Sequence, residues 1–302
     1  MRRILMVVFV VITTVSVNSQ LLWRVSGNGL EKPSYLFGTL HLAPMSVVDS
    51  IYGLREVVEN VDVVCGEVVA ASMQSADTLS YMAGRMVLPG DSTLADLLDA
   101  QEFVAVKGFL ENRLGIDFDG SGLSKMIPAA ITNQITMLVT AESVPGYNPA
   151  NQLDAGLQSV AKLLGKNVCG LESVRFQIDL IAGVPLERQA EQLLCTVESF
   201  DSLVVQSRRL VDAYYSQDLL EIESLMQEDG DSHCGYTQDE QYALIGARNK
   251  AWMKKLPKIM GGGSVLFAVG AGHLSCGDGL IALLLDAGYE VEPVEKPLYD
   301  RM

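Results

Sequence analysis

The sequence predicts an α/β fold: a central mixed sheet flanked by helices and enlarged by large helical insertions. Three observations lead there. Runs rich in aromatic and β-branched residues recur at 34–38, 61–65, 167–171, 264–270 and 289–294. Apolar residues between these runs return at helical spacing. Strand and helix patterns alternate at both ends of the chain, whereas its interior is helix-rich.

The first segment has a different character. Met1-Arg2-Arg3 precedes an apolar run of 14 residues from Ile4 to Val17, followed by Asn18-Ser19. A basic end, an apolar centre and small residues before position 20 fit a secretory signal peptide over 1–19. The run is shorter than the roughly 20 residues that a membrane-spanning helix needs. No later stretch is longer, so the mature form is expected to lack a transmembrane segment and to reside outside the cytoplasm, periplasmic or secreted. One domain is assigned to 20–302.

Taken in order, 34–38 reads as a strand, and Ile51, Leu54, Val57 and Val58 give 47–60 a helical stripe. A strand follows at 61–65. A helical block covers 94–142, with a Gly/Asp/Ser break at 115–122. After Pro149, Leu153, Leu157, Val160, Ala161 and Leu164 form one buried stripe ending at Gly165. The strand at 167–171 repeats the earlier Val-Cys-Gly…Glu pattern. Residues 176–256 read as several helices interrupted by a polar loop at 228–235, and strands at 264–270 and 289–294 close the chain.

Composition narrows the function. The 302 residues include 22 basic and 37 acidic side chains, a net charge of −15. That balance opposes binding to nucleic acid or an anionic membrane surface. At 49% hydrophobic and 20% charged, the chain can bury a full core. Five cysteines, widely spaced, do not make a disulfide scaffold, and Cys-x-x-Cys is absent. Cys65 and Cys169 lie in apolar runs and are expected to be separate small buried side chains. Cys195 and Cys234 are the pair expected to form any bridge.

Of three histidines, His41 and His273 each end a Gly-x-x-His sequence that terminates an apolar strand. Glu67 and Glu172 follow the Cys-Gly strands in the same way. Ligands in open α/β sheets bind beyond the carboxyl ends of strands, so these four side chains can converge. Two imidazoles and two carboxylates suit a divalent metal, with either glutamate serving as ligand or as base. The alternative is that the histidines satisfy buried backbone groups while the glutamates are solvated. His233, in a polar loop, is read as a surface residue.

The order of motifs resembles the TraB/GumN family, which is related to the Tiki metalloproteases. The resemblance runs through Leu22-Trp23-Arg24, Tyr35-Leu36-Phe37-Gly38-Thr39-Leu40-His41, Glu67, Leu153-Asp154, Gly170-Leu171-Glu172-Ser173 with Gln177, Arg248-Asn249, and Val269-Gly270-Ala271-Gly272-His273-Leu274. It implies an EreA/ChaN/Tiki-like fold and a metal-dependent peptidase-like hydrolase acting on a peptide or small molecule. The implied centre contains His41, Glu67, Glu172 and His273, with Mn, Co or Zn as cofactor. Arg248 and Asn249 match a recurring pair, expected to bind substrate or orient a glutamate. Gly66 departs from the family pattern, where a larger apolar residue precedes the glutamate.

Other chemistries fit less well. Cys276 lies three residues after His273, too close in sequence for a good nucleophile–base geometry, and a turn at Gly277-Asp278-Gly279 explains that segment. Leu274-Ser275-Cys276-Gly277 lacks the glycine of a nucleophile elbow. His-Glu-x-x-His is absent. Ser275 occupies the third-glycine position of a dinucleotide fingerprint. A non-catalytic extracytoplasmic protein binding a peptide or ligand in the same cleft is the remaining competitor.

Overall fold

Strand β5 (Val265–Gly270) forms the middle of the molecule and is buried on both faces from Val265 to Val269. The continuous apolar run that marked it in sequence is what a strand covered on both sides requires. Burying each of its Val, Leu and Phe side chains contributes about 1.5–3 kcal/mol. The computed structural model describes residues 20–231, 235–275 and 277–295. The signal-peptide assignment, the surface reading of His233, the Cys195–Cys234 pairing and the Cys276 alternative fall wholly or partly outside them.

Five further strands join β5: β1 (Leu22–Gly27), β2 (Ser34–Thr39), β3 (Val63–Gly66), β4 (Asn167–Gly170) and β6 (Tyr289–Pro293). They form a six-stranded mixed sheet in the order β4-β3-β5-β2-β1-β6. The first four are mutually parallel, while β1 runs antiparallel to both β2 and β6. Strand β1 lies outside the sequence-predicted set. Its Leu22, Trp23 and Val25 are buried, but Arg24 and the six-residue length weaken its alternation.

Helices α1 (Val47–Ser50), α2 (Leu54–Asn60) and, later in the chain, α6 (Leu153–Leu163) pack into the core around the sheet, whereas α3 (Ala76–Arg85) lies against the helix at 174–182. The single helix expected over 47–60 is divided because Gly53 takes φ +77, a left-handed conformation that glycine tolerates. Between α3 and α6 the chain forms α4 (Ala100–Asn112) and α5 (Pro128–Ser143), flanking the predicted break.

The long insertion contains α7 (Val174–Ala182), α8 (Leu186–Glu198), α9 (Phe200–Tyr215), α10 (Leu219–Asp231), α11 (Gln238–Gln241), α12 (Ala247–Met253) and α13 (Leu256–Met260); α14 (Leu280–Asp286) precedes β6. Helix α10 runs into the segment expected to be a polar loop. A π-helical turn, Tyr242–Gly246, joins α11 to α12. The insertions have an apolar cluster of their own, in which Val106, Leu110, Ile131, Ile135 and Leu193 meet. No helix among the described residues is long and apolar enough to cross a membrane.

Candidate functional site

The four parallel strands deliver the predicted residues to the carboxyl-terminal end of the sheet. In sheet order, β4 leads to Glu172, β3 to Glu67, β5 to His273 and β2 to His41. A Cβ placed on Gly270 would lie 3.3 Å from Glu67 Oε1, 3.7 Å from His273 Cδ2 and 3.9 Å from His41 Nε2. Three side chains separated by more than two hundred positions therefore surround one point.

Arg248 occupies the centre of this group, and each of its five N–H groups has an acceptor. Nε donates to Glu172 Oε1 at 3.0 Å, and Nη2 donates to Glu67 Oε2 at 2.5 Å and Glu172 Oε1 at 2.6 Å. Nη1 reaches the Leu244 carbonyl and His273 Nε2, both at 2.9 Å. Gln177 donates to both glutamates at 2.9 Å, and Trp252 Nε1 donates to Glu172 Oε2 at 2.9 Å. Ser173 caps α7 by accepting from Phe176 N, which starts the helix immediately after Glu172 and places Gln177 in reach.

The hydrogen bonds settle the tautomer of His273. Asn249 Nδ2 donates to the carbonyls of His273 and Asp278, so its Oδ1 is the acceptor 2.7 Å from His273 Nδ1. Nδ1 therefore carries the proton, and Nε2 presents its lone pair to Arg248. Burial pushes the His273 pKa down to about 3 and keeps the ring neutral.

His41 is in the opposite state. Asp154 Oδ2 lies 3.0 Å from its Nδ1, and Thr39 holds the other Asp154 oxygen at 2.8 Å. The charge of Asp154 raises the His41 pKa to about 9. Its side chain is 66% exposed, so water screens part of that attraction. Burial by itself would raise the Glu67 pKa, but His41 and Arg248 help outweigh it and hold the carboxyl near 2.

These shifts set the acid stability of the metal-free protein. Unfolded His273 takes up a proton below about 6.5 while the folded ring resists to about 3, and Glu67 extends the loss toward about 2. The raised His41 value acts in the other direction: its stabilisation is complete below about 6.5 and is lost as pH rises through about 9. Unfolding free energies from urea titrations in chelator should therefore be highest near neutrality and fall steadily below pH 6, more steeply once Glu67 adds its share below about 4.5. A flat profile between pH 6 and pH 4 would contradict the buried neutral imidazole.

Asp154, Gln177 and Thr39 entered the sequence reading only as members of the family-like motifs, without a role, and Trp252 had no signal beyond its bulk. Gly66 has a local explanation. A Cβ there would lie 2.4 Å from Gln158 Nε2, and the Gln158 amide bonds Val68 O and Ala70 N, fixing the chain beyond Glu67.

Cys65 and Cys169 correct an expectation. Instead of packing as separate thiols they form a disulfide between β3 and β4, where they are partners in register. The bond ties together the two strands that carry the glutamates. Among the described residues, no group of three His, Cys, Asp or Glu side chains is arranged to hold a metal ion.

Residues 21–293 match the TraB/PrgY/gumN family. No curated protein and no solved structure matches the chain.

Proposed function

The chain belongs to the TraB/PrgY/gumN family, and on that premise we propose that it is an extracytoplasmic metal-dependent hydrolase of peptide or related amide bonds. The observation that carries this reading is the convergence of two imidazoles and an ionised carboxylate on Gly270 at strand carboxyl ends. The residue types are those that bind divalent ions, but they are not arranged as a metal cage here: Arg248 Nη1 holds the lone pair of His273 Nε2 at 2.9 Å, a hydrogen bond that a metal on that nitrogen would replace. His41 Nε2, His273 Nε2 and Glu67 Oε1 are the atoms that would hold an ion, each imidazole being anchored through Nδ1 to a polar side chain, as metal-binding histidines are. When bound, such an ion polarises a carbonyl and makes water acidic enough to react near neutral pH.

The remaining groups have roles of their own. Asp154 fixes the His41 tautomer, and Asn249 fixes that of His273. Glu172 has both oxygens engaged, so it orients Arg248. Arg248 in turn positions Glu67, and its Nη1 N–H, which now bonds His273 Nε2 and would be released once that nitrogen held a metal, is then left to stabilise charge growing on a substrate oxygen. The Cys65–Cys169 bond supports an oxidising compartment, as the leader sequence does.

A second reading is favoured by one feature. Arg248 already compensates both glutamates without a metal, as it would in a protein that binds a peptide without turnover. Metal analysis of the purified mature protein, followed by cleavage of a peptide library with and without chelator, separates the two. The hydrolase should bind a divalent ion and lose turnover in chelator, with recovery on adding Mn, Co or Zn. Metal binding without cleavage supports the binding protein; cleavage indifferent to chelator removes the metal from the reaction.

A further inference from the structure

Beside the centre, α5, α8, α9, α10 and the 238–246 segment line an open cavity of about 840 Å³. That volume lies in the range of ligand sites. It shares its wall with the centre. Met226 and Ile245 line it and also face the Gly-x-x-His turn, where a Cβ on Gly272 would lie 2.7 Å from Met226 Sδ and 3.9 Å from Ile245 Cδ1. Leu244, in the same wall, gives its carbonyl to Arg248. The wall is built on a π-helical turn, a distortion found disproportionately at functional sites.

The lining selects a chemistry. Thr132, Thr136 and Thr140 stand at i, i+4 and i+8 along α5 and face glutamines and apolar side chains across the space. Thr132 Oγ1 is buried with no hydrogen-bond partner. A buried hydroxyl left in this state is unfavourable unless something else supplies the bond. Among the described residues of the lining, the one charged side chain, Asp278, is paired with Lys250 at 2.9 Å. A chain of net charge −15 has therefore kept this wall nearly uncharged.

We propose that the cavity receives an uncharged segment of a peptide substrate, apolar side chains filling it while backbone amides bond the threonine and glutamine groups. The inference rests on the hydrolase reading for what happens to the peptide, but not for its binding.

The test is selection from a peptide library on chelator-treated protein, where cleavage is not needed. The bound pool should be enriched in uncharged sequences. Thr136→Trp, which fills the space, and Gln206→Lys, which places a charge in its wall, should each weaken the best selected peptide at least about tenfold by calorimetry. No enrichment, enrichment of charged peptides, or wild-type affinity in the folded variants would overturn the proposal. If Thr136→Trp does not fold, as judged by circular dichroism, Gln206→Lys decides. Metal-dependent cleavage that neither variant alters would sink this inference and leave the hydrolase standing. Selective binding without metal-dependent cleavage would do the reverse.

Discussion

Arg248→Met should cost the protein about 3–5 kcal/mol of stability, seen as a lower urea midpoint at unchanged slope. The reason is electrostatic. Glu67 and Glu172 side chains are each 8% exposed and Arg248 9%, and the guanidinium is the cation placed between the two carboxylates. Methionine fills much of the same volume, so the loss is not mainly one of packing. It leaves two buried negative charges facing each other, together with a His273 lone pair and a Leu244 carbonyl that have lost their donor. Arg248→Lys should recover little, because an ammonium cannot span two carboxylates, an imidazole and a carbonyl in fixed directions. Neutralising the acids as well, in Arg248→Met with Glu67→Gln and Glu172→Gln, should restore at least half of the deficit. A single Arg248→Met variant within about 1 kcal/mol of wild type would mean that the buried carboxylates find other compensation.

The same network shows why sequence revealed the candidates but not their division of labour. The histidines and glutamates were legible because each follows an apolar strand, and parallel strands present their carboxyl ends together. Position along the sheet then brought them close. What each does depends on partners far away in the chain. Arg248 reaches Glu172 across 76 residues and Glu67 across 181, and Asp154 reaches His41 across 113. No local periodicity encodes such pairs.

Glu67 and Glu172 look equivalent in sequence, yet only Glu67 keeps an oxygen, Oε1, whose protein partner is a backbone N–H and which faces the imidazoles. The Cys65–Cys169 bond was hidden for a related reason. Each cysteine sits in a run that a buried thiol explains equally well, and only the in-register pairing of β3 with β4 places them opposite. Strand β1 and the cavity depend likewise on neighbours: antiparallel pairing with both β2 and β6 in one case, the facing sides of several helices in the other.

His41→Ala should abolish metal-dependent cleavage, with kcat/KM lower by at least about 100-fold, while changing stability by no more than about 1 kcal/mol. The ring is largely exposed and its ion pair with Asp154 is partly solvated, so the fold does not depend on it. Its removal takes away one nitrogen of the donor set, and metal stoichiometry should fall in parallel with activity. His273→Ala should abolish cleavage equally but with a stability cost. That ring is 3% exposed, and its loss strands an Arg248 N–H and the Asn249 carbonyl oxygen. The pair of variants therefore distinguishes a reactive centre from a structural one: both lose turnover, but only the buried histidine lowers the urea midpoint. Asp154→Asn supplies the intermediate case, weakening metal affinity by about 10–100-fold because the backing carboxylate is replaced and His41 keeps its place. Full metal-dependent turnover in both histidine variants would remove the proposed ligands from the reaction, and with them the convergence at Gly270 as its site.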